Sequence, residues 1–200
     1  MHHQPKLAKA EMAILKTAYE QAIYEVYYGQ ATIQIKIGES CPALDSLITE
    51  DNRPSWALIT ASNPYSQLLS ELENQQRHQR LLQHLTELQL PLFPAVGKDQ
   101  AGVWIPEPGF LISGIERVEA IAIGRKFEQN AIVFGELNQP AELQWLESLG
   151  TAFPFPFLRS LLNGGNPRNA TSRFPPFPNL SRLICFLGIN NYQMLGNISI

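Results

Sequence analysis

A chain of 200 residues with 44% hydrophobic content is long enough for one full domain and its core. A net charge of −3 excludes the broad basic face of a nucleic-acid binder, so no nucleic-acid partner is expected. Two cysteines, Cys41 and Cys185, make neither a disulfide framework nor a metal cluster, and no apolar run approaches the ~20 residues that span a bilayer.

The opening residues 1–5 lack a signal-peptide pattern. Together with the cysteine count, this leads to the expectation of a cytoplasmic protein with reduced thiols, without metal or cofactor. Charge is spread unevenly. All 18 acidic residues and 11 of the 15 basic ones fall in residues 1–150, a net −7 there against +4 beyond. Residues 151–200 hold six prolines and six phenylalanines and no Asp, Glu or Lys. Proline-rich composition of this kind leans to extended chain without a packed core. The expected boundary is near Gly150, with one domain over residues 1–150 and an irregular tail over 151–200. The tail reads as an appendage, a partner-binding arm or the product of a shifted reading frame.

In chain order, residues 11–28 begin with helical spacing at Met12, Leu15, Tyr19 and Ile23. Tyr24, Tyr27 and Tyr28 follow as core aromatics or as walls of a ligand site. Residues 31–37 alternate, with Ile33, Ile35 and Ile37 against Thr32, Gln34 and Lys36, the pattern of a half-buried strand. A short helical turn is expected around Leu44, Leu47 and Ile48. The run from Trp56 to Thr60 suits a strand buried on both faces. Asn63-Pro64 then reads as N-cap and first helical residue of a long helix reaching Leu88.

Residues 89–96 are apolar but contain Pro91 and Pro94, which suits an edge strand or irregular chain. Residues 97–102 read as a flexible turn, with Val103, Trp104 and Ile105 apolar beyond it. Glu107 stands between Pro106 and Pro108 in what reads as a stiff loop. Strands are expected over 110–115 and 131–134, the latter as the last. A helix is expected over 116–129 with Val118, Ile121, Ala122 and Phe127 inward. Asn130 suits its left-handed C-cap, and residues 140–149 read as a short helix.

The candidate site comes from the stretch around the long helix. At about 100° per residue, Ser66, Ser70, Asn74 and Arg77 would share one stripe, and Leu81, Leu85 and Leu88 come round to nearly the same face. A solvated face does not normally continue into a leucine face. Either the helix bends near Asn74, or the polar stripe points partly inward. In the inward reading Arg77 pairs with an anion, and Asn74, Ser70 and Ser66 supply hydrogen bonds. Thr60 and Asn63 at the turn, Glu107 and Gln129 complete the candidate ligand-binding set. Catalytic signatures are mostly absent, with Arg77 and Glu107 the weak candidates. His78 and His84 lack a partnering Cys or Asp nearby, the glycines match no phosphate-binding spacing, and nothing resembles a nucleophile elbow.

Thr60-Ala61-Ser62-Asn63-Pro64-Tyr65-Ser66 with Asn74, Arg77 and Leu81-Leu82 forms one pattern. The segments from Trp104 to Leu111 and from Phe127 to Ile132 form two more. Their order and spacing resemble the bacterial family catalogued as domain of unknown function 3293, over about residues 19–137. That resemblance implies a label and no activity.

The expectation is therefore an α/β or α+β domain, a small mixed β-sheet flanked by two or three helices, with a Pro/Phe-rich C-terminal tail. Two functions fit it. One is a binding or interaction domain with a polar pocket at the 60–66 turn, taking a small anionic ligand or a protein partner. The other is an enzyme on a phosphorylated or nucleotide-like substrate, with Arg77 holding the anion and Glu107 as general base.

Overall fold

The computed structural model describes residues 9–49, 54–99 and 105–146. The expectations for the 151–200 tail, its boundary near Gly150, the tip of the 97–102 turn and Val103-Trp104 lie outside the described residues.

Lys9–Glu20 forms helix α1. Helix stops there, well short of Tyr28, because the next residues are β-formers. Ile23–Tyr28 is strand β1 and Ala31–Lys36 is strand β2, paired antiparallel with Tyr24 opposite Ile35 and Val26 opposite Ile33. Pro42–Thr49 is helix α2, where the helical turn is expected, with Leu44 and Ile48 fully buried. Ser55–Thr60 is strand β3, and Trp56, Ala57, Leu58 and Ile59 are all buried. A strand with apolar residues at every position has to be covered on both faces.

The long helix starts later than the Asn63-Pro64 pair suggests. Pro64–Ser66 is one short 3-10 turn, and helix α3 runs from Glu71 to Thr86. Asn63 has φ 46° and makes no side-chain cap. The cap is Ser70, whose hydroxyl accepts from the Glu73 N–H while the Glu73 carboxylate accepts from the Ser70 N–H. Leu68 and Leu72, which a continuous helix from Pro64 would place opposite the polar stripe, are exposed at 49% and 64%. Leu81 and Leu85 are buried.

Leu92–Lys98 is strand β4, Glu107–Ser113 is β5, Arg117–Lys126 is helix α4, Ala131–Glu136 is β6 and Glu142–Trp145 is β7. Glu107 therefore opens a strand and is not loop. β7 replaces the helix expected over 140–149, of which residues 147–149 lie outside the described residues. On α4 the inward face is Ala120, Ile123 and Gly124, followed by Phe127, whereas Val118 is 80% exposed. The Val118 and Ala122 placements are thus corrected.

The strands form one sheet in the order β2-β1-β4-β5-β3-β6-β7, and every strand pair in it is antiparallel. The expected mixed sheet is corrected to an antiparallel one, and of the two expected classes the arrangement is α+β. β4 lies inside the sheet, between β1 and β5, despite Pro94. The proline is tolerated because pairing with β1 ends at Val26–Ala95, one residue before it. The two edges also approach each other. Ile37 bridges Ala141, with Gly38 N–H donating to the Ala141 carbonyl at 2.8 Å and Ala141 N–H to the Glu39 carbonyl at 3.1 Å. The sheet is therefore curled.

Two cores follow from the curl. Tyr24, Val26, Ile35, Leu44, Ile48, Trp56, Leu58, Leu111 and Val133 fill one face together with α2. Ala57, Ile59, Phe110, Ile112, Ile132 and Phe134 fill the other with α3 and α4. β3 and β5 contribute to both. The end of the sheet where β3 stops and β1, β5 and β6 begin carries the polar residues. No helix among the described residues is long and apolar enough to cross a membrane.

Candidate functional site

The 60–66 turn is held in an unusual conformation. Asn63, Tyr65 and Ser66 have φ of 46°, 49° and 57°. Asn tolerates the left-handed region, but Tyr and Ser enter it at a cost of order 1 kcal/mol or more each. Surrounding hydrogen bonds impose it. Thr60 Oγ1 donates to the Pro108 carbonyl at 2.8 Å and accepts from the Ser62 N–H at 3.1 Å. Tyr65 N–H donates to the Glu128 carbonyl at 2.7 Å.

Asn63 is the junction. Its N–H donates to Asn74 Oδ1 at 2.9 Å, and its Oδ1 accepts from Asn74 Nδ2 at 3.0 Å and from the Leu69 N–H at 3.1 Å. Its own Nδ2 donates to Glu107 Oε1 at 2.6 Å. Of the expected site residues, Asn63, Asn74 and Glu107 are thus directly joined.

Glu107 lies deep in the protein's mass yet is not closed off from solvent. Among the described residues it has no ion pair, and its hydrogen bond is the one from Asn63. Burial pushes its carboxyl up from 4.5 to about 7, and the Asn63 amide offsets this in part. Lys98, next to the strand partner of Glu107, is committed to Glu25 at 2.8 Å.

A second group meets the turn from above. Asn130, 1% exposed, donates from Nδ2 to Ser66 Oγ at 2.7 Å and to the Tyr19 hydroxyl at 3.4 Å. Tyr19 and Ser66 hydroxyls lie 3.3 Å apart. The Tyr24 hydroxyl donates to the Tyr19 carbonyl at 3.2 Å. Burial, and secondarily the Glu107 charge, hold the Tyr19 phenol above its ordinary range. Burial does the same to Tyr24, with smaller contributions from Tyr19 and Glu107. Asn130 Oδ1 is buried without a hydrogen-bond partner among the described residues. Glu128, with φ 58°, takes the left-handed position assigned to Asn130. Tyr19 carries no local sequence signal for this role, since helical spacing alone reads it as core.

Arg77, Gln129 and Ser70, also expected at the site, make hydrogen bonds within the protein. Arg77 donates from Nε to the Ala61 carbonyl at 2.6 Å, from Nη2 to the Phe127 carbonyl at 2.7 Å and from Nη1 to the Glu128 carboxylate at 3.1 Å. It does point inward, as the leucine continuation of its stripe implies, but toward backbone. Gln129 donates to the Ser62 and Phe127 carbonyls, each at 3.1 Å. Ser70 caps α3. His78 stacks on Phe110 at 4.6 Å, and burial holds it below its ordinary value. Among the described residues no three His, Cys, Asp or Glu side chains gather as metal ligands.

The family model described as "Protein of unknown function (DUF3293)" matches residues 59–132, so the resemblance to that family holds, over a shorter span than 19–137. The match runs from the end of β3 to the start of β6. It contains the turn, Asn74, Arg77, Glu107, Gln129 and Asn130, and leaves Tyr19 and Tyr24 outside. No curated protein and no solved structure matches the chain.

Proposed function

We propose that the chain is a binding domain and that a small polar molecule binds at the 60–66 turn against Glu107. The observation that carries this is the Glu107 carboxyl, held deep beside a strained, multiply hydrogen-bonded turn with no cation to neutralise it among the described residues. A fold gains nothing from such a group, because burying an unpaired carboxyl is unfavourable. The buried Asn130 Oδ1 is a second unspent acceptor near the same turn. Perturbed carboxyls and strained backbone concentrate at functional sites.

The enzyme reading keeps one supporting observation, since a carboxyl titrating at about 7 suits a general base. Against it, the Nε and both terminal nitrogens of Arg77 are already engaged, so an anion would have to displace Glu128 or a backbone carbonyl. A cytoplasmic setting, resting on the cysteine usage alone, is part of the proposal.

The test is a thermal-shift screen of the full chain and of Glu107→Gln against nucleosides, sugar phosphates, dicarboxylates, polyols and amines. A ligand at 100 times its dissociation constant adds about 2.7 kcal/mol of stability. A compound that raises the melting temperature of the parent chain and not of the variant is the expected result. No shift with any compound, or equal shifts in both proteins, overturns the site.

A further inference from the structure

Resting on that reading of the site, we infer that its ligand is an organic ammonium ion, held by Glu107 and by aromatic rings around it. Tyr24, Gly97 and Glu107 are register partners across β1, β4 and β5. Directly opposed residues in antiparallel strands share a face, so Tyr24 and Glu107 flank Gly97 on one side of the sheet. Gly97 has no side chain, and the Tyr24 ring covers it: an added Cβ would meet that ring in ordinary contact at 3.4 Å. Tyr19 bridges from α1, and its ring lies 5.5 Å from that of Trp145 at a 46° tilt. Phenol and indole faces attract cations, most of all desolvated ones.

The polar groups agree on the sign of the guest. Glu107 supplies a carboxyl without a cationic partner among the described residues, and Asn130 Oδ1 supplies an unpartnered buried acceptor. Lys98 is spent on Glu25, and Arg77 on Glu128 and two carbonyls. An anion placed here would meet the Glu107 charge, with Lys98 and Arg77 already engaged among the described residues. A primary ammonium brings three N–H donors and the missing positive charge.

The probes are butane-1,4-diammonium, its neutral isostere butane-1,4-diol and its anionic counterpart succinate. Melting temperature is read for the full chain and for Glu107→Gln at pH 8 and pH 5.5. At equal ionic strength, the diammonium should stabilise the parent chain at pH 8 and bind at least tenfold more weakly at pH 5.5, where Glu107 is protonated. The variant should show neither effect. Stabilisation of the parent chain alone by the diol or by succinate keeps the site and overturns the ammonium assignment. Silence from all three probes overturns the assignment too, while the wider screen decides the site separately. Diammonium stabilisation that is equal in the variant, or equal at both pH values, places the cation elsewhere and overturns it as well.

Discussion

Glu107 makes the fold pay for its position in a way that pH reveals. Its carboxyl is raised from 4.5 to about 7, so the folded chain binds a proton there more tightly than the unfolded chain does. Below 4.5 both states are protonated and the residue costs nothing. As pH climbs through the window to about 7 the unfolded chain ionises first, and stability falls. Above that the loss is constant, on the order of 3 kcal/mol from the size of the shift. Glu107→Gln keeps an oxygen for Asn63 and removes the charge. Urea unfolding should find the variant more stable by up to about 3 kcal/mol at pH 8 and level with the parent chain near pH 4. A difference of the same size at both pH values would mean that Glu107 is not the group buried at a cost.

Where α3 begins decides what the turn can be. If the helix ran from Pro64, Asn63 would be spent as a cap and the polar residues after it would line a helix face. Because it begins at Glu71, Asn63 is free to join Asn74 to Glu107, and the cap falls to Ser70. Ser70→Ala should therefore cost about 1 kcal/mol in urea unfolding and speed amide exchange at Glu73, while Asn63→Ala leaves that amide protected. A neutral Ser70→Ala would place the helix start upstream. The same comparison shows what a sequence can carry. β2, β3 and α2 are legible because their apolar spacing is local, whereas α4 is legible as a helix but not in its inward face, since Val118 is 80% exposed. β1 is not, because Ile23, Tyr24 and Val26 also extend the helical spacing of the residues before them. β7 is not, because four residues are too few to set a period against a helix. In the site, Asn63 is legible as a polar residue at an element end, Asn74 through the polar stripe of the helix and Glu107 as a carboxylate between two prolines. Arg77 is legible as inward-facing, but whether a guanidinium meets an anion or the Ala61 and Phe127 carbonyls depends on chain brought from fifty residues away. Tyr19 meets Ser66 across 47 residues and Asn130 across 111.

The curl of the sheet is what gathers those distant pieces at one end. β3 supplies the turn, β5 supplies Glu107, the approach to β6 supplies Asn130, and α1 lays Tyr19 beside them. A flat seven-stranded sheet would set β1 and β6 four strand spacings apart, close to 20 Å at about 4.8 Å each, yet Tyr19, four residues before β1, meets Asn130, the residue before β6. The described contact that ties the edges together is the Ile37–Ala141 bridge with its two backbone hydrogen bonds. Ala141 is 3% exposed, so its N–H has no water to turn to if the bond is lost. Ala141→Pro removes that donor and fixes the backbone where β2 must dock. It should destabilise the chain by about 1–3 kcal/mol. Hydrogen exchange should then quicken at Gly38, whose amide donates across the same bridge. If closure positions the site, the variant should also weaken any ligand that depends on Glu107, although the described hydrogen bonds of Ala141 go to Gly38 and Glu39. Loss of stability without loss of that binding would show that β3, β5 and β6 hold the site without the closed edge.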